Sequence, residues 1–336
     1  CSDDENIIET NPDNATLQAS YDAARLKIVS IEPTVSGFEN ATYTWKLGNE
    51  IIGNQKTLGF VSDEVGSYDL TLEITSGATS KTIKTKVNVT QELSTYSKYI
   101  SQVFDYLPAV GQFTNKLPAY VDGDTQTEMT AKAGKALVGE KSTMITLGGY
   151  GGYVVFGFDH TILNQKDKRD FKVLGNGFAG SSEPGIIMVA YDKNKNGKPD
   201  EDEWYEIAGS EYTNPTTIKN YTITYHKPTV EDSNATPEYI KWEDNQGKSG
   251  FKAKNTFHKQ PYYPIWFGQN QLKFSGTLLE SNYTEKNGIW TGKQLAYGYV
   301  DNAPNNSEDS NIDIDWAVDK NGNPVKLMGI DFIKVY

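Results

Sequence analysis

A run of oxygen-bearing residues that begins at Asp192 is the part of this sequence best suited to bind an ion. Oxygen ligands fall at positions 1, 3, 5 and 9 of the run, with a glycine at position 6 and a carboxylate at position 12, as in a calcium-binding loop. The candidate ligands are Asp192, Asn194, Asn196, the backbone carbonyl of Lys198, Asp200 and Glu203. We therefore predict a structural Ca²⁺ at this loop, with a solvated Asn-Gly hairpin turn as the alternative.

Aromatic residues in the last third of the chain are candidates for ligand contact. Pro261 and Pro264 stiffen one aromatic segment, and exposed rings on stiff loops bind sugars or flat cofactors by stacking, at a small cost in conformational entropy. The candidate ligand-binding residues are Tyr262, Tyr263, Trp266, Trp290, Tyr297 and Tyr299. Packing of these rings in the core is the alternative.

Paired carboxylates are the main candidates for catalysis. Asp313 and Asp315 are predicted to share one face of a strand, a spacing compatible with the acid and base of a glycosidase. The sequence contains neither a nucleophile elbow of the Gly-x-Ser-x-Gly type nor a phosphate-binding Gly-Lys loop. We predict no catalytic residues and no enzymatic activity, with a carbohydrate-active hydrolase or lyase as the alternative.

Three histidines are present, His160, His226 and His258, and none lies at the spacing of a metal-ligating pair. Asp159 stands next to His160, so the two side chains are candidates for a hydrogen-bonded dyad. A neutral histidine with a structural role is the favoured interpretation.

The single cysteine is Cys1, which excludes an internal disulfide. A cysteine at the first position is what remains when a lipoprotein signal peptide is cleaved, and its thiol then carries a lipid that anchors the chain. Asp plus Glu exceed Lys plus Arg by 44 to 32, which gives a net charge of −12 and argues against a nucleic-acid partner. We predict a lipid-anchored protein, exposed at the outer membrane, that meets the membrane only through this anchor.

Alternating runs of Thr, Val, Ile and Tyr predict an all-β protein in three parts: a flexible tether over 1–20, an Ig-like or PKD-like sandwich over 21–92 and a larger β-sandwich over 93–336. Trp45 is predicted to point into the first core, and Tyr68 to form a tyrosine corner. Strands of the first domain are predicted at 25–31, 42–47, 57–61, 66–75 and 81–89. An apolar spacing of three and four residues predicts a linker helix within 93–115, ended by Pro108.

Five segments resemble a recurrent family of Bacteroidetes cell-surface lipoproteins: 106–113 (YLPAVGQF), 148–160 (GGYGGYVVFGFDH), 170–178 (DFKVLGNGF), 182–190 (SEPGIIMVA) and 204–210 (WYEIAGS). The resemblance implies a PKD-like N-terminal domain and a C-terminal domain similar to galactose-binding-like jelly rolls. Such proteins accompany TonB-dependent transporters, including ones for corrinoid uptake. The resemblance therefore implies capture of a nutrient, a corrinoid or a glycan, for such a transporter. A non-catalytic adhesin or scaffold remains the other alternative.

Overall fold

The computed structural model describes residues 13–336 and confirms the all-β fold, with a single α-helix in that part of the chain. The N-terminal strands are β1 Asn14–Thr16, β2 Ser20–Ala24, β3 Val29–Ile31, β4 Thr34–Ser36, β5 Thr42–Leu47, β6 Glu50–Gly53, β7 Leu58–Phe60, β8 Gly66–Ser76 and β9 Thr79–Thr90. The next elements are β10 Gln102–Leu107, α1 Gln126–Leu137, β11 Tyr153–Leu163, β12 Phe171–Lys172, β13 Ile187–Ala190, β14 Tyr205–Ile207, β15 Ile218–His226 and β16 Thr236–Asp244. The chain ends with β17 Ser249–Lys254, β18 Gln271–Leu278, β19 Tyr283–Lys286, β20 Ile289–Gly292, β21 Asn311–Ile312, β22 Ala317–Val318 and β23 Gly329–Val335.

The N-terminal domain is built on a five-stranded sheet in the order β2-β9-β8-β5-β6, with β2 and β9 parallel. Strands β1 and β4 pair with each other, and so do β3 and β7. Trp45 is fully buried in the core of this domain, as predicted, and its Nε1 donates to the carbonyl of Gln55 at 2.9 Å. The tyrosine corner is also confirmed, because the Tyr68 hydroxyl donates to the carbonyl of Glu64 at 2.7 Å.

The predicted tether over 1–20 is too long. Strand β1 pairs with β4, and Ala15 is buried in the N-terminal core. This short apolar side chain fits between the sheets, so the folded domain begins before residue 20. Cys1, the predicted lipidation site, lies outside the described residues.

The rest of the chain contains a six-stranded sheet, β10-β11-β23-β13-β14-β22, and a four-stranded sheet, β17-β16-β15-β18. All their strand pairs are antiparallel, and each sheet has its own apolar core. Two short pairs, β12–β21 and β19–β20, lie outside these sheets. No helix in residues 13–336 has the length and hydropathy needed to cross a membrane.

The predicted linker helix within 93–115 is wrong: this segment contains β10, which pairs with β11. A β-bulge at Phe104 explains the error. Val103 opposes Phe156 and Tyr106 opposes Val154, so the extra residue places Val103 and Tyr106 on the same face of the sheet. Both are buried, and their spacing of three residues imitates one face of a helix.

The α-helix of the protein lies later in the chain, at α1. Thr125 and Glu128 form a capping box at its start, and Met129 and Ala133, four residues apart, are buried. The capping box and the four-residue spacing of apolar residues are the features of the sequence that indicate this helix.

The two domains are joined by partly buried and exposed hydrogen bonds. The Thr161 hydroxyl accepts the Ile28 N–H at 3.0 Å and donates to Asp331 Oδ1 at 2.6 Å, while Asp331 Oδ2 accepts the Asp192 N–H at 2.8 Å. A second link is made by Asn54, whose amide bonds to the backbone at Pro324 and Lys326. The N-terminal domain is therefore held against the six-stranded sheet.

Candidate functional site

One tight turn and one hairpin lie side by side on the larger domain and form the candidate site, here called the aromatic rim (residues 174–183 and 283–292). The Gly292 N–H donates to the Gly180 carbonyl at 2.8 Å, and the Ser182 N–H donates to the Gly292 carbonyl at 3.3 Å. Asn287 and Gly288 both have positive φ, as the two-residue turn between β19 and β20 requires. Backbone pairing therefore fixes the position of the rim.

Two large rings of the rim are exposed to solvent: Trp290 at 67% and Phe178 at 61%. Leu174 and Ile289 are exposed to a similar extent. Exposed apolar side chains that gather on neighbouring segments mark an interaction surface more often than single ones do. The rim is therefore suited to contact a ligand.

Polar groups accompany these rings. Ser181 and Tyr283 belong to the turn and the hairpin, and Glu183 follows the turn with its side chain at the surface. Partial burial, together with the nearby Asp301 carboxylate, raises the pKa of Glu183. The rim thus combines rings with a carboxylate and hydroxyl groups that can bond to a polar ligand.

Asp301 holds the loop below Phe178. Its Oδ1 accepts the Asn176 N–H at 2.8 Å, and a Cβ on Gly175 would lie 2.5 Å from the same oxygen. Asp301 itself has φ +50°, a conformation that residues other than glycine seldom adopt. Burial raises the pKa of its carboxyl group. Such backbone strain is concentrated at functional sites, which supports a role for this loop.

A small cavity of about 150 Å³ opens beside the rim. Its wall includes Pro184, Asn282, Tyr150 and Tyr336. The Tyr336 hydroxyl accepts the Thr277 N–H at 2.9 Å, so the floor of the cavity is rigid. The cavity is large enough for a few atoms of a ligand, not for a whole cofactor.

Three of the six aromatic residues predicted to contact a ligand are core residues. Tyr262, Tyr263 and Tyr299 are exposed by 0%, 2% and 3%. Two of their hydroxyls donate to backbone carbonyls, that of Tyr262 to His258 and that of Tyr263 to Gln269. The ligand-binding prediction is wrong for these three, because the rings pack inward.

Trp266 and Tyr297 are half-buried and lie in different places. The Trp266 Nε1–H donates to Gln126 Oε1 at 2.7 Å. Because Gln126 is the first residue of α1, this bond holds the start of the helix in place. Tyr297 packs against Trp316 at 4.7 Å between ring centroids. The structure therefore does not gather the predicted aromatics into one site, and Trp290 alone belongs to the rim.

Phe178 and Glu183 of the rim, and Asp301 beneath it, are among the residues that sequence reasoning did not select. The Asn176-Gly177-Phe178 turn and the Asn287-Gly288 hairpin turn are the available signals, since turns place their neighbours at the surface. No local sequence pattern predicts that these two turns, which are far apart in the chain, lie side by side.

The predicted calcium-binding loop joins β13 to β14, two paired antiparallel strands. Asp192 accepts the N–H groups of Asn196 and Gly197 at 3.1 and 2.8 Å. Asp200 Oδ2 accepts the side-chain amides of Asn194 and Asn196, which lowers the pKa of Asp200. The loop is thus closed by its own hydrogen bonds.

Glu203, the expected bidentate ligand, is buried and accepts the N–H groups of Asp200 and Lys193 at 2.8 and 2.7 Å. The Lys198 N–H donates to Asn196 Oδ1 at 3.1 Å. Among residues 13–336, no three His, Cys, Asp or Glu side chains come together in a way that could hold a metal ion. The calcium site therefore stays a prediction.

The two aspartates proposed as a glycosidase pair do not share a strand face. Asp313 caps a short 3-10 turn at Ile314–Trp316 and accepts the Asp315 N–H at 2.9 Å. Sequence reasoning missed Asp170, which lies close to Asp313 and whose carboxylate accepts the Ile314 N–H at 2.9 Å. Burial, and then the charges of Asp313 and Asp315, raise the pKa of Asp170 to about 6.

The Asp159–His160 contact that the sequence suggested is present, with Nδ1 and Oδ1 2.8 Å apart. The imidazole stacks on Tyr96 at 5.1 Å between centroids. This pair lies at the junction of the two domains and not at the rim.

Comparisons with known proteins bear on the N-terminal domain alone. Among solved structures, the chain is similar to a quinonprotein alcohol dehydrogenase-like protein from Bacteroides thetaiotaomicron VPI-5482, with 12% identity and a TM-score of 0.20. That match covers 74% of this chain and 49% of the other protein, so this chain spans about half the length of the other protein. A TM-score this low supports no conclusion about a shared fold. No curated protein matches the chain. Residues 20–76 match the family of PKD-like domains, and together with the buried Trp45 and the tyrosine corner this match shows that the N-terminal part of the chain contains a PKD-like domain.

Proposed function

We propose that this protein is a surface-exposed binding lipoprotein that captures a glycan at the aromatic rim. The observation that carries the proposal is the exposure of Trp290 and Phe178 on two segments fixed by backbone pairing. Rings held in position stack on the apolar face of a sugar without losing conformational entropy on binding. Glu183, Ser181 and Tyr283 supply hydrogen-bonding groups for sugar hydroxyls.

A corrinoid is the second ligand class within this proposal. Leu174, on the same segment as Phe178, adds exposed apolar surface to the rim, which suits a flat macrocycle. The glycan is favoured because the rim also carries a carboxylate and hydroxyl groups that match a ligand rich in hydroxyls.

The anchoring and partner parts of the proposal rest on the sequence. Cys1 would carry the lipid, and the family resemblance suggests delivery of the ligand to a TonB-dependent transporter. The jelly-roll topology suggested for the larger domain is likewise a proposal, supported by its two antiparallel sheets.

Catalysis on a carbohydrate is the second candidate function, and one observation favours it. Asp170 and Asp313 form a carboxyl pair with a raised pKa, a property of general acids. Binding is favoured because both oxygens of Asp170 already accept backbone N–H groups, those of Gln165 and Ile314.

Replacement of both rim rings by alanine is expected to abolish glycan binding. Each ring that stacks on a sugar should contribute about a tenfold change in affinity, so Trp290→Ala with Phe178→Ala should weaken binding about a hundredfold. A glycan array followed by calorimetry measures this. Phe257→Ala is the matched control, because Phe257 is 86% exposed and lies elsewhere.

Wild-type affinity in the double variant would contradict the proposal. Analysis of the recovered glycan separates the two candidate functions: an intact ligand is expected for binding, whereas cleavage products would favour the carboxyl pair.

Removal of calcium is expected to lower the thermal midpoint of unfolding, if the 192–203 loop binds the ion as we propose. Saturating Ca²⁺ should stabilise the native state, and chelation should lower Tm by about 3–5 °C. Asp192→Asn should remove this response by weakening the site. Asp319→Asn is the matched control in another Asn-Gly turn, where Asp319 accepts the N–H groups of Asn321 and Asn323. An identical Tm with calcium and with chelator would refute the proposed site.

A further inference from the structure

An open cavity of about 540 Å³ lies where the PKD-like domain meets the larger domain. Its walls come from the end of β2 (Arg25 and Leu26), the connecting segment 91–98 and His160 of β11. This volume is typical of sites for small molecules. The cavity is distinct from the aromatic rim, and the proposed function does not use it.

The hydrogen-bonding groups left free in this cavity are mostly donors. Lys98 Nζ lies 5.3 Å from the Tyr99 ring and, among the described residues, has no carboxylate partner. His160 is bonded to Asp159 through Nδ1, which leaves Nε2 without a partner in residues 13–336. The Ser94 and Thr95 hydroxyls also have no partner in this part of the protein.

The carboxylate in the cavity wall is already neutralised. Arg25 Nε donates to Glu92 Oε2 at 2.7 Å, and a second guanidinium nitrogen bonds to Oε1. This bidentate pairing lowers the pKa of Glu92 to about 2. Lys98 therefore keeps its positive charge in the cavity with no carboxylate of residues 13–336 at hydrogen-bonding distance. Because Nδ1 of His160 faces the Asp159 carboxylate and donates to it, Nε2 is an acceptor in the neutral imidazole.

The walls are held rigidly. Leu26 has φ +56°, a strained conformation for a residue with a branched side chain, and its carbonyl accepts the Thr161 N–H at 2.8 Å. Tyr96 stacks on His160, and Asp159 Oδ2 accepts the Ser97 N–H at 3.0 Å. The aromatic part of the wall, Tyr96 and His160, is therefore held in place, and a ligand would lose little affinity to its ordering.

We propose that this junction cavity binds a small hydroxylated carboxylate of the size of a sugar acid. Lys98 would hold the carboxylate, His160 Nε2 would accept a hydrogen bond from a hydroxyl group of the ligand, and Ser94 and Thr95 would bond to its other hydroxyl groups. One negative charge fits better than two, because Arg25 is occupied by Glu92 and Lys98 is the one cation of the cavity wall left without a carboxylate partner among residues 13–336. Elsewhere the net charge of −12 repels anions, so selective binding requires such a local cation.

Calorimetry on the full chain with D-glucuronate tests this, with D-glucose as the neutral counterpart of the same size. Glucuronate is expected to bind at least about tenfold more tightly than glucose, and Lys98→Ala or His160→Gln should each weaken binding about tenfold. Added salt should also weaken binding, since the charged group of Lys98 is near the surface. Trp290→Ala should leave glucuronate affinity unchanged, which separates this site from the rim.

Three outcomes would overturn the proposal. They are no binding of glucuronate up to about 10 mM, equal affinity for glucose, or wild-type affinity in both cavity variants. Circular dichroism of each variant verifies that it is folded, and Lys98→Arg, which keeps the charge, should retain most of the affinity if the cation is what matters.

Discussion

Replacing Trp45 by alanine is expected to destabilise the PKD-like domain by about 3–5 kcal/mol, since this is the usual cost of emptying a large buried aromatic site. Trp45 is fully buried and packs with Leu72, Ile74 and Leu58, so the neighbours cannot collapse far enough to fill the space. The variant also loses the hydrogen bond from Nε1 to the Gln55 carbonyl. Urea unfolding followed by circular dichroism measures the change.

Trp290→Ala is the matched control, because the same ring is removed from an exposed position. Its free energy of unfolding should stay within about 0.5 kcal/mol of wild type, as for most surface substitutions. A Trp45→Ala variant that unfolds at the wild-type urea concentration would show that the domain does not depend on this core.

The ionisation of Asp170 is expected to make the protein less stable as the pH rises from about 4 to about 6. In the folded protein, burial and the neighbouring Asp313 and Asp315 raise the pKa of Asp170 to about 6, whereas an unfolded aspartate has a pKa of about 3.9. The native state therefore binds the proton more tightly. The resulting stabilisation is complete below the unfolded pKa and is lost as the pH rises through the folded pKa. The difference between these two pKa values corresponds to at most about 3 kcal/mol, and solvent at this half-buried site should reduce it to about 1–2 kcal/mol.

Asp170→Asn isolates this contribution from the other carboxylates, several of which act in the opposite direction, among them Glu92, Asp124 and Asp200. The difference in unfolding free energy between variant and wild type should move by about 1–2 kcal/mol in favour of the variant between pH 4 and pH 7. Asp69→Asn, at an exposed site on β8, serves as the control. A pH-independent difference for Asp170→Asn would contradict the assignment.

Local patterns were sufficient to predict most of the PKD-like domain. Strands β5, β8 and β9 alternate apolar and polar residues along their length, and Trp45 and Tyr68 occupy positions with a known structural role. The linker helix failed because the bulge at Phe104 gives a strand the apolar spacing of a helix. The periodicity of side chains does not by itself distinguish these two arrangements.

The candidate site was less predictable, because exposure depends on contacts between distant segments. Tyr262 and Trp290 are both aromatic residues near turns, yet one is buried in the core of the four-stranded sheet and the other projects from a hairpin. Phe178 and Trp290 are more than a hundred residues apart and approach only because Gly180 pairs with Gly292. Asp170 and Asp313 meet in the same way, through the pairing of β12 with β21.

The parallel pairing of β2 with β9 has a mechanical consequence. Strand β2 lies near the start of the domain and β9 at its end, and five successive residues of each, Ser20–Ala24 and 86–90, lie opposite one another. A force that draws the two ends of the domain apart would slide β2 along β9, so that all the hydrogen bonds between these strands would bear the load together. In an antiparallel pair at the ends, the same force would break the hydrogen bonds one after another. This shear geometry therefore resists tension applied along the chain better than an antiparallel terminal pair of the same length would.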